Sequence, residues 1–479
     1  MKQSAPTEKR RSRQPRDVEI DYDAFRDHIS TVNQEGKRNW IYPRKPKGRY
    51  HRRRVAVAAF LLLLLFSGPL LRWNGQPMFL FNIFERKFIL FGFTFWPQDF
   101  YIFVLFMITG IVFIVLFTVA FGRLWCGWAC PQTIFMEMVF RKIEYWIEGD
   151  RAQQIRLDKS PWNATKIRKK VTKWAIFYLI SLLIAHTLMA YLVGTDELAK
   201  MVTHPPAENW GKFVGLMAFS GIFYFVFAWF REQACIVVCP YGRLQGAMLG
   251  KDSIVVIYDW VRGEPRERVK KGVKRTGGDC IACGLCEQVC PTGIDIKNGT
   301  QMECVNCTAC IDACDEVMEK VGFPKGLIRY DSYNNVAEGK GFRFTPRMVG
   351  YTTVLAVLLG LLTFFLTTRT TIDTILLHTP GTLYQKTEQG EIVNLFNVKV
   401  INKSLKTYPL EFKLTSHPGE VRVVGNALTL EPQSLVKGSL FIQIPAQALE
   451  SHKTPIKVEV WSGDQLLDEV KTNFLGPFK

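Results

Sequence analysis

The sequence predicts a membrane α-helical protein of five transmembrane helices, with a cysteine-rich soluble insert and a C-terminal β-sandwich. Three observations carry that expectation. Five uncharged apolar runs approach or exceed the length needed to cross a bilayer, about 20 residues. Two four-cysteine runs lie together between the fourth and the fifth of them. Residues 380–479 alternate apolar and polar positions in short stretches divided by turn signals.

The apolar runs are Val55–Leu71, Phe100–Gly122, Trp174–Thr195, Phe213–Phe230 and Met348–Thr368, and none contains Asp, Glu, Lys or Arg. Pro69 closes or kinks the first. The chain of 479 residues is 48% hydrophobic yet carries a net charge of +18. Apolar helices joined by basic loops account for both figures. They also leave a nucleic-acid reading of the positive charge with nothing to explain, so no nucleic-acid partner is expected. Residues 1–54 are mostly polar and no small-residue cleavage site follows the first apolar run, so a cleaved signal peptide is not expected.

Basic residues set the orientation. Residues 1–54 form a basic tail with 16 Lys and Arg, and the connection from Arg141 to Lys173 is similarly basic. The alternate loops are poor in Lys and Arg and carry Trp73, Trp96 and Trp210, as an interfacial belt would. The positive-inside rule places the N-terminus in the cytoplasm. Five crossings then place the C-terminal region outside, in the periplasm of a bacterium with two membranes. All 12 cysteines lie between Cys126 and Cys314. None falls in that outer region, where disulfides persist.

Residues 55–230 read as four helices in two pairs, each ending in a similar motif. The first is Phe121-Gly-Arg-Leu-Trp-Cys126-Gly-Trp-Ala-Cys130-Pro131, and the second Phe230-Arg-Glu-Gln-Ala-Cys235-Ile-Val-Val-Cys239-Pro240. Phe, both Cys and Pro recur in register, as an internal duplication would leave them. Cysteines at i and i+4 share a helix face, and proline then breaks the helix. Four thiols brought together from two such motifs suit copper(I) or zinc, or a dithiol–disulfide couple. The alternative is that they are small buried apolar residues.

The insert, residues 231–347, holds Cys280-x-x-Cys283-x-x-Cys286-x-x-x-Cys290-Pro291 and Cys304-x-x-Cys307-x-x-Cys310-x-x-x-Cys314. This is the spacing of the two-cluster 4Fe–4S ferredoxins. Three thiolates of one run wrap three corners of a cubane, and the fourth reaches the other cluster. Cys280, Cys283, Cys286 and Cys314 should therefore hold one cluster, and Cys304, Cys307, Cys310 and Cys290 the second. A pair of zinc sites is the alternative, but no His lies between His204 and His378 to complete them. Asp315 departs from the pattern where a ferredoxin usually has Pro.

Other candidates carry less. His186 and Met189 fall within the third helix, where a His invites a haem or quinone role, and an interhelical hydrogen bond is the plainer expectation. His204 reads as a solvated outer-loop residue. The run Arg262–Arg275 reads as an anchor to anionic lipid. There is no G-x-G-x-x-G dinucleotide fingerprint. The fifth helix, residues 348–368, leads to the β-sandwich of 380–479, with strands over Glu391–Ile401, Glu411–Thr415, Glu420–Val424, Ser439–Ile444 and Ile456–Trp461.

The order of parts resembles the cytochrome c oxidase accessory proteins of the CcoG (FixG/RdxA) family, over essentially the whole chain. NapH and NosR, related membrane polyferredoxins, share the central block. The resemblance implies an immunoglobulin-like C-terminal domain in a protein of the bacterial inner membrane. It implies reduction of copper(II) to copper(I) during assembly of a C-type (cbb-type) cytochrome c oxidase. It also carries the copper-linked, catalytic role to Cys126, Cys130, Cys235 and Cys239. Expected partners are membrane lipid, oxidase subunits, copper-delivery proteins, an electron donor that the sequence does not name, and a second copy in a homodimer. A quinol-linked conduit without copper and a non-catalytic assembly scaffold are the competing readings.

Overall fold

The computed structural model describes residue 31 and residues 37–73, 76–83, 87–91, 93–269, 277–339, 341, 343–381, 383–388, 390–404, 406–449 and 451–477. Most of the basic N-terminal tail and part of the run Arg262–Arg275 lie outside the described residues.

Five helices among them are long and apolar enough to cross a membrane: Arg49–Leu70, Phe100–Phe121, Ala164–Val193, Pro206–Phe230 and Pro346–Thr367. The chain is a multi-pass membrane protein. The first helix starts ahead of the apolar run, because Gly48 at φ 135° lets the chain turn into it. The third begins ten residues before Trp174, so Lys166, Lys170 and Lys173 lie inside a helix and are buried. Charge alone had assigned them to a loop. The helix tolerates them because their ammonium groups have partners: Lys166 donates to the Asp158 and Ser160 carbonyls (2.8 and 2.6 Å), Lys170 pairs with Glu148 (2.9 Å) and Asp158 (2.6 Å), and Lys173 with Glu148 (2.9 Å).

The chain divides into two units. One contains residues 106–190 and 195–359 together with the chain up to Gly68. In it, the connection after Pro131 is not a surface loop. A π-helical stretch Ile134–Phe140 runs into the helix Arg141–Ile147 and supplies core. Phe140 stacks on Phe227 of the fourth span at 4.7 Å and meets Phe177 of the third edge-on at 4.8 Å. Ile134 and Met138 pack with Ala58 of the first. The insert adds the strand pair Val255–Tyr258 and Ile328–Asp331, with short helices Leu285–Gln288 and Ala309–Lys320.

The other unit contains residues 69–105, 191–194 and 360–479. A three-stranded antiparallel sheet, Phe79–Asn82, Lys87–Leu90 and Phe93–Phe95, occupies the loop after the first span. The C-terminal β-sandwich has one sheet of Glu420–Val423, Leu435–Pro445, Glu391–Asn402 and Ile372–His378 in that order, with Gln385–Lys386 beside Glu391–Asn402. The second sheet is Glu411–Leu414, Lys453–Ser462 and Gln465–Leu475. Phe396, Leu440, Ile442, Val458, Val460 and Phe474 form the shared core. Ile372–His378 and Gln465–Leu475 are additional to the expected strands. Four residues separate the former from the last apolar helix, fewer than the expected linker allowed.

Candidate functional site

The two cysteine runs fold alike. Ala282 and Gly284 in the first, and Asn306 and Thr308 in the second, have φ between 52° and 68°. Alternating left-handed residues turn successive backbone N–H groups to one side, the concavity used at iron–sulfur sites. Each run then enters a helix, Leu285–Gln288 or Ala309–Lys320, that carries the third cysteine on its first turn. Ala, Asn and Thr at positive φ are uncommon and costly, so these positions mark a site rather than a generic loop.

Two cavities follow. One is lined by Cys280, Cys283, Cys286 and Cys314 with Tyr258, Leu327 and Ile328. The other is lined by Cys290, Cys304, Cys307 and Cys310 together with Cys286. Each crossed set that the spacing predicts lines one cavity, and Cys286 lines both. Among the described residues, no three His, Cys, Asp or Glu side chains gather closely enough to hold a single metal ion. Four cysteines spread around an apolar cavity suit a polynuclear cluster and not a zinc ion, whose ligands all stand about 2.0–2.3 Å from one centre. The residues therefore fit two 4Fe–4S groups.

Burial pushes the thiols of Cys286 and Cys307 up to about 11, and those of Cys304 and Cys314 up to about 12. Thiols raised this far keep their protons at neutral pH, and a bound cluster would need these sulfurs as thiolates. Lys297 reaches Cys286 Sγ at 3.8 Å, and Thr292 Oγ1 lies 3.3 Å from Cys290 Sγ. Cys283 is exposed, unlike the other seven. Asp315 does not make a turn: the helix runs through Cys314 to Lys320, and Asp315 accepts the Gly326 N–H at 2.8 Å.

The duplicated motifs also share a backbone design. Four residues before the first cysteine of each, Gly122 and Arg231 have φ of 55° and 54°. The second cysteine's N–H closes a wide turn in both, Cys130 to Trp125 O and Cys239 to Ala234 O, each 2.9 Å. Pro131 and Pro240 then occupy the first position of new helices, so the proline starts a helix as well as ending one. Cys130 and Cys239 become N-caps, and Cys239 Sγ accepts the Gly242 N–H at 3.4 Å. This replaces the expected picture of two thiols on one continuous helix face.

The four thiols share a neighbourhood. Burial pushes the Cys126 thiol up, Arg123 opposes it, and Cys130 and Cys239 add to it. Burial pushes Cys235 up to about 12, with Cys130 and Cys126 adding and Arg123 opposing. Cys126 Sγ donates to Gln245 Oε1 at 3.0 Å, so the first motif is bonded to the helix that follows the second.

The motif is seated on the second cysteine run. Cys126 is buried in one apolar cluster with Val289, Val305, Cys307 and Ala309. The Trp128 indole donates to Tyr330 Oη, which donates to the Asn306 carbonyl, both at 3.0 Å. Arg54 Nε donates to the Gly127 carbonyl at 2.6 Å. Arg141 donates with both terminal nitrogens to the Pro291 carbonyl at 3.4 Å, next to Cys290. Beside the second motif, Arg231 holds Glu144 in two hydrogen bonds of 2.8 and 2.7 Å. Burial opposes Glu144's charge, but Arg231, Lys173 and Arg141 outweigh it and hold the carboxyl at about 2.

Sequence reading did not single out Arg123, Gly127, Gln245 or Tyr330. Arg123 and Gly127 stand inside the quoted motif, which was their only signal. His186 Nδ1 lies 2.8 Å from Leu182 O of its own helix, so its partner is intrahelical and not on a neighbouring helix. His204 is exposed and caps Lys200 O. Arg262 is bonded to Asp279 and to the carbonyls of Pro324 and Lys325, so it braces the insert.

Family models match three segments. Residues 230–333 match a 4Fe-4S dicluster domain, residues 362–477 an IG-like fold at the C-terminal of FixG, and residues 103–150 a 4Fe-4S binding domain. The chain is 31% identical over 461 residues to the nitrogen fixation protein FixG of Rhizobium meliloti, covering 85% of this chain and 87% of that one. It is 34% identical over 406 residues to protein RdxB of Cereibacter sphaeroides (81% and 84%), and 41% identical over 302 residues to protein RdxA of the same organism (60% and 62%).

Proposed function

The chain belongs to the FixG/RdxA family, and on that premise we propose that it is a cupric reductase of the bacterial inner membrane. It supplies copper(I) for assembly of a C-type (cbb-type) cytochrome c oxidase. Cys280, Cys283, Cys286 and Cys314 hold one 4Fe–4S group, and Cys290, Cys304, Cys307 and Cys310 the other. When bound, these groups supply one-electron transfer. Cys126, Cys130, Cys235 and Cys239 are the thiols that bind the substrate copper, and they must draw together on it, since no three of them stand close enough in the structure to hold a metal ion. Each electron delivered turns one copper(II) into copper(I), and soft thiolates favour the product ion.

The burial of Cys126 among the residues of the second run carries this reading. Cys126 packs with Val305 and Cys307, which line the second cavity, and this supports a short path from that cavity to the motif, while Cys283 of the first cavity is exposed towards an electron donor. Gly127, Tyr330 and Arg54 fix that seat through the bonds described above. The charge pattern supports a cytoplasmic N-terminus and insert, with the C-terminal domain in the periplasm.

Anaerobic purification with metal counting and a copper(I)-chelator assay test the proposal. About eight iron atoms per chain, bound copper, and copper(I) production lost when the four motif cysteines become Ala are the expected results. Normal copper binding and reduction by that variant would sink it. The match of residues 103–150 to a 4Fe-4S binding domain favours one rival, since Cys126 and Cys130 are the only cysteines there. In that case the motif thiols hold iron, and the count exceeds eight with no copper.

A further inference from the structure

Arg123 lies three residues before Cys126 and is 4% exposed. Its Nε donates to Gln245 Oε1 at 3.3 Å, and Nη1 donates to the Met302 carbonyl, two residues ahead of Cys304. Its Nη2 lies against Gly242, where a Cβ would stand 3.0 Å away. The side chain thus starts in the first motif, touches the helix after the second, and ends on the second cysteine run. Gln245 is fully buried and spends its other bond on Thr118 Oγ1 at 3.4 Å, so the Oε1 that receives Arg123 also receives Cys126.

A guanidinium does not deprotonate in proteins, so this is a fixed positive charge between two redox-competent cysteine sets. Its place is selective. It bonds the chain two residues ahead of Cys304. The cavity of that run has no Lys or Arg in its lining, whereas Lys297 lines the other cavity.

We infer that Arg123 is a positioning residue for electron hand-off, whose charge raises the reduction potential of the centre on the second cysteine run without moving that of the first. An electron added beside a fixed cation is stabilised by it, and the low local dielectric strengthens the effect. The inference rests on the electron-transfer reading but not on copper.

The test is an anaerobic redox titration of the full-length, iron-loaded protein, followed by EPR, with no copper added. Cys283→Ser assigns the two potentials by altering the first centre's signal. Arg123→Gln should lower the second centre's reduction equilibrium about tenfold, equivalent to about 59 mV for one electron, and leave the first in place. Arg123→Lys should restore most of the difference. Gln245→Glu sets a carboxylate against the guanidinium while keeping the Met302 anchor, and should give the same selective fall. It decides the matter if Arg123→Gln does not retain iron. Equal shifts at both centres, no shift at either, or a Lys variant as low as the Gln variant would overturn the inference. A negative copper assay alongside the selective shift would overturn the cupric reductase reading and leave this one standing.

Discussion

The α-carbon of Gly127 faces the Val305 carbonyl oxygen so closely that a Cβ there would collide with it, and would lie 2.8 Å from the Asn306 oxygen. Gly127 joins Cys126 to Trp128, and Val305 joins Cys304 to Asn306. Backbone therefore meets backbone between the membrane motif and the second cysteine run. No larger residue at 127 preserves that approach.

Gly127→Ala should accordingly force the two segments apart. Overpacking of this kind costs about 1–3 kcal/mol. Thermal unfolding should show the loss, and copper reduction should slow more than cluster reduction by dithionite does. Equal slowing of both would mean that the contact is only structural.

Crossed ligation has its own signature. Cys283→Ser combined with Cys314→Ser should leave one intact cluster, because both serve the first cavity. Cys283→Ser combined with Cys290→Ser should damage both. Iron counts and EPR of the reduced double variants separate the two outcomes, and the reverse result, both clusters damaged in the first variant and one intact in the second, would mean that each run holds its own cluster.

Glu144→Ala leaves Arg231 buried without its carboxylate, and breaking a buried pair costs about 3–5 kcal/mol. The pH dependence follows from the depressed carboxyl. Its contribution is fully present above the ordinary value of 4.5 and is lost as pH falls towards the folded value of about 2. The stability difference between the wild type and Glu144→Gln should be constant above pH 4.5 and shrink below it.

Asp315→Pro would restore the usual ferredoxin residue at the cost of this protein's local structure. Position 315 lies inside the helix Ala309–Lys320, where proline costs about 3 kcal/mol, and the bond to Gly326 would be lost as well. Denaturant unfolding of the iron-loaded protein should show the fall. An unchanged midpoint would mean that the helix end after Cys314 contributes little.

The parts with strict periodicity were legible in the sequence. Five apolar runs gave five spans, and three-residue cysteine spacing gave two cysteine-lined cavities that share Cys286, because both patterns follow from chain geometry. The sandwich was visible where strands alternate, as at Phe396, Val398 and Val400. Features that depend on distant partners were not visible. Lys170 and Lys173 read as loop charges until Glu148 paired them within a helix. Pro131 read as a helix end, although it also begins a stretch that packs into the core through Phe140. Arg123 and Gln245 lie 122 residues apart, and no local pattern joins them. The left-handed conformation at Arg231 gave no signal, since its counterpart Gly122 is the residue type that signals one.

Hand-off from the second cysteine run to the motif thiols is the central claim, and stopped-flow mixing tests it most directly. Protein reduced anaerobically with dithionite, freed of excess reductant, would be mixed with copper(II) while cluster absorbance is followed. The wild type should reoxidise rapidly and yield copper(I) at one ion per electron lost. The variant with Cys126, Cys130, Cys235 and Cys239 replaced by Ala should keep its clusters reduced. Equally fast reoxidation in that variant would contradict the account, since electrons would then be reaching copper without the membrane thiols.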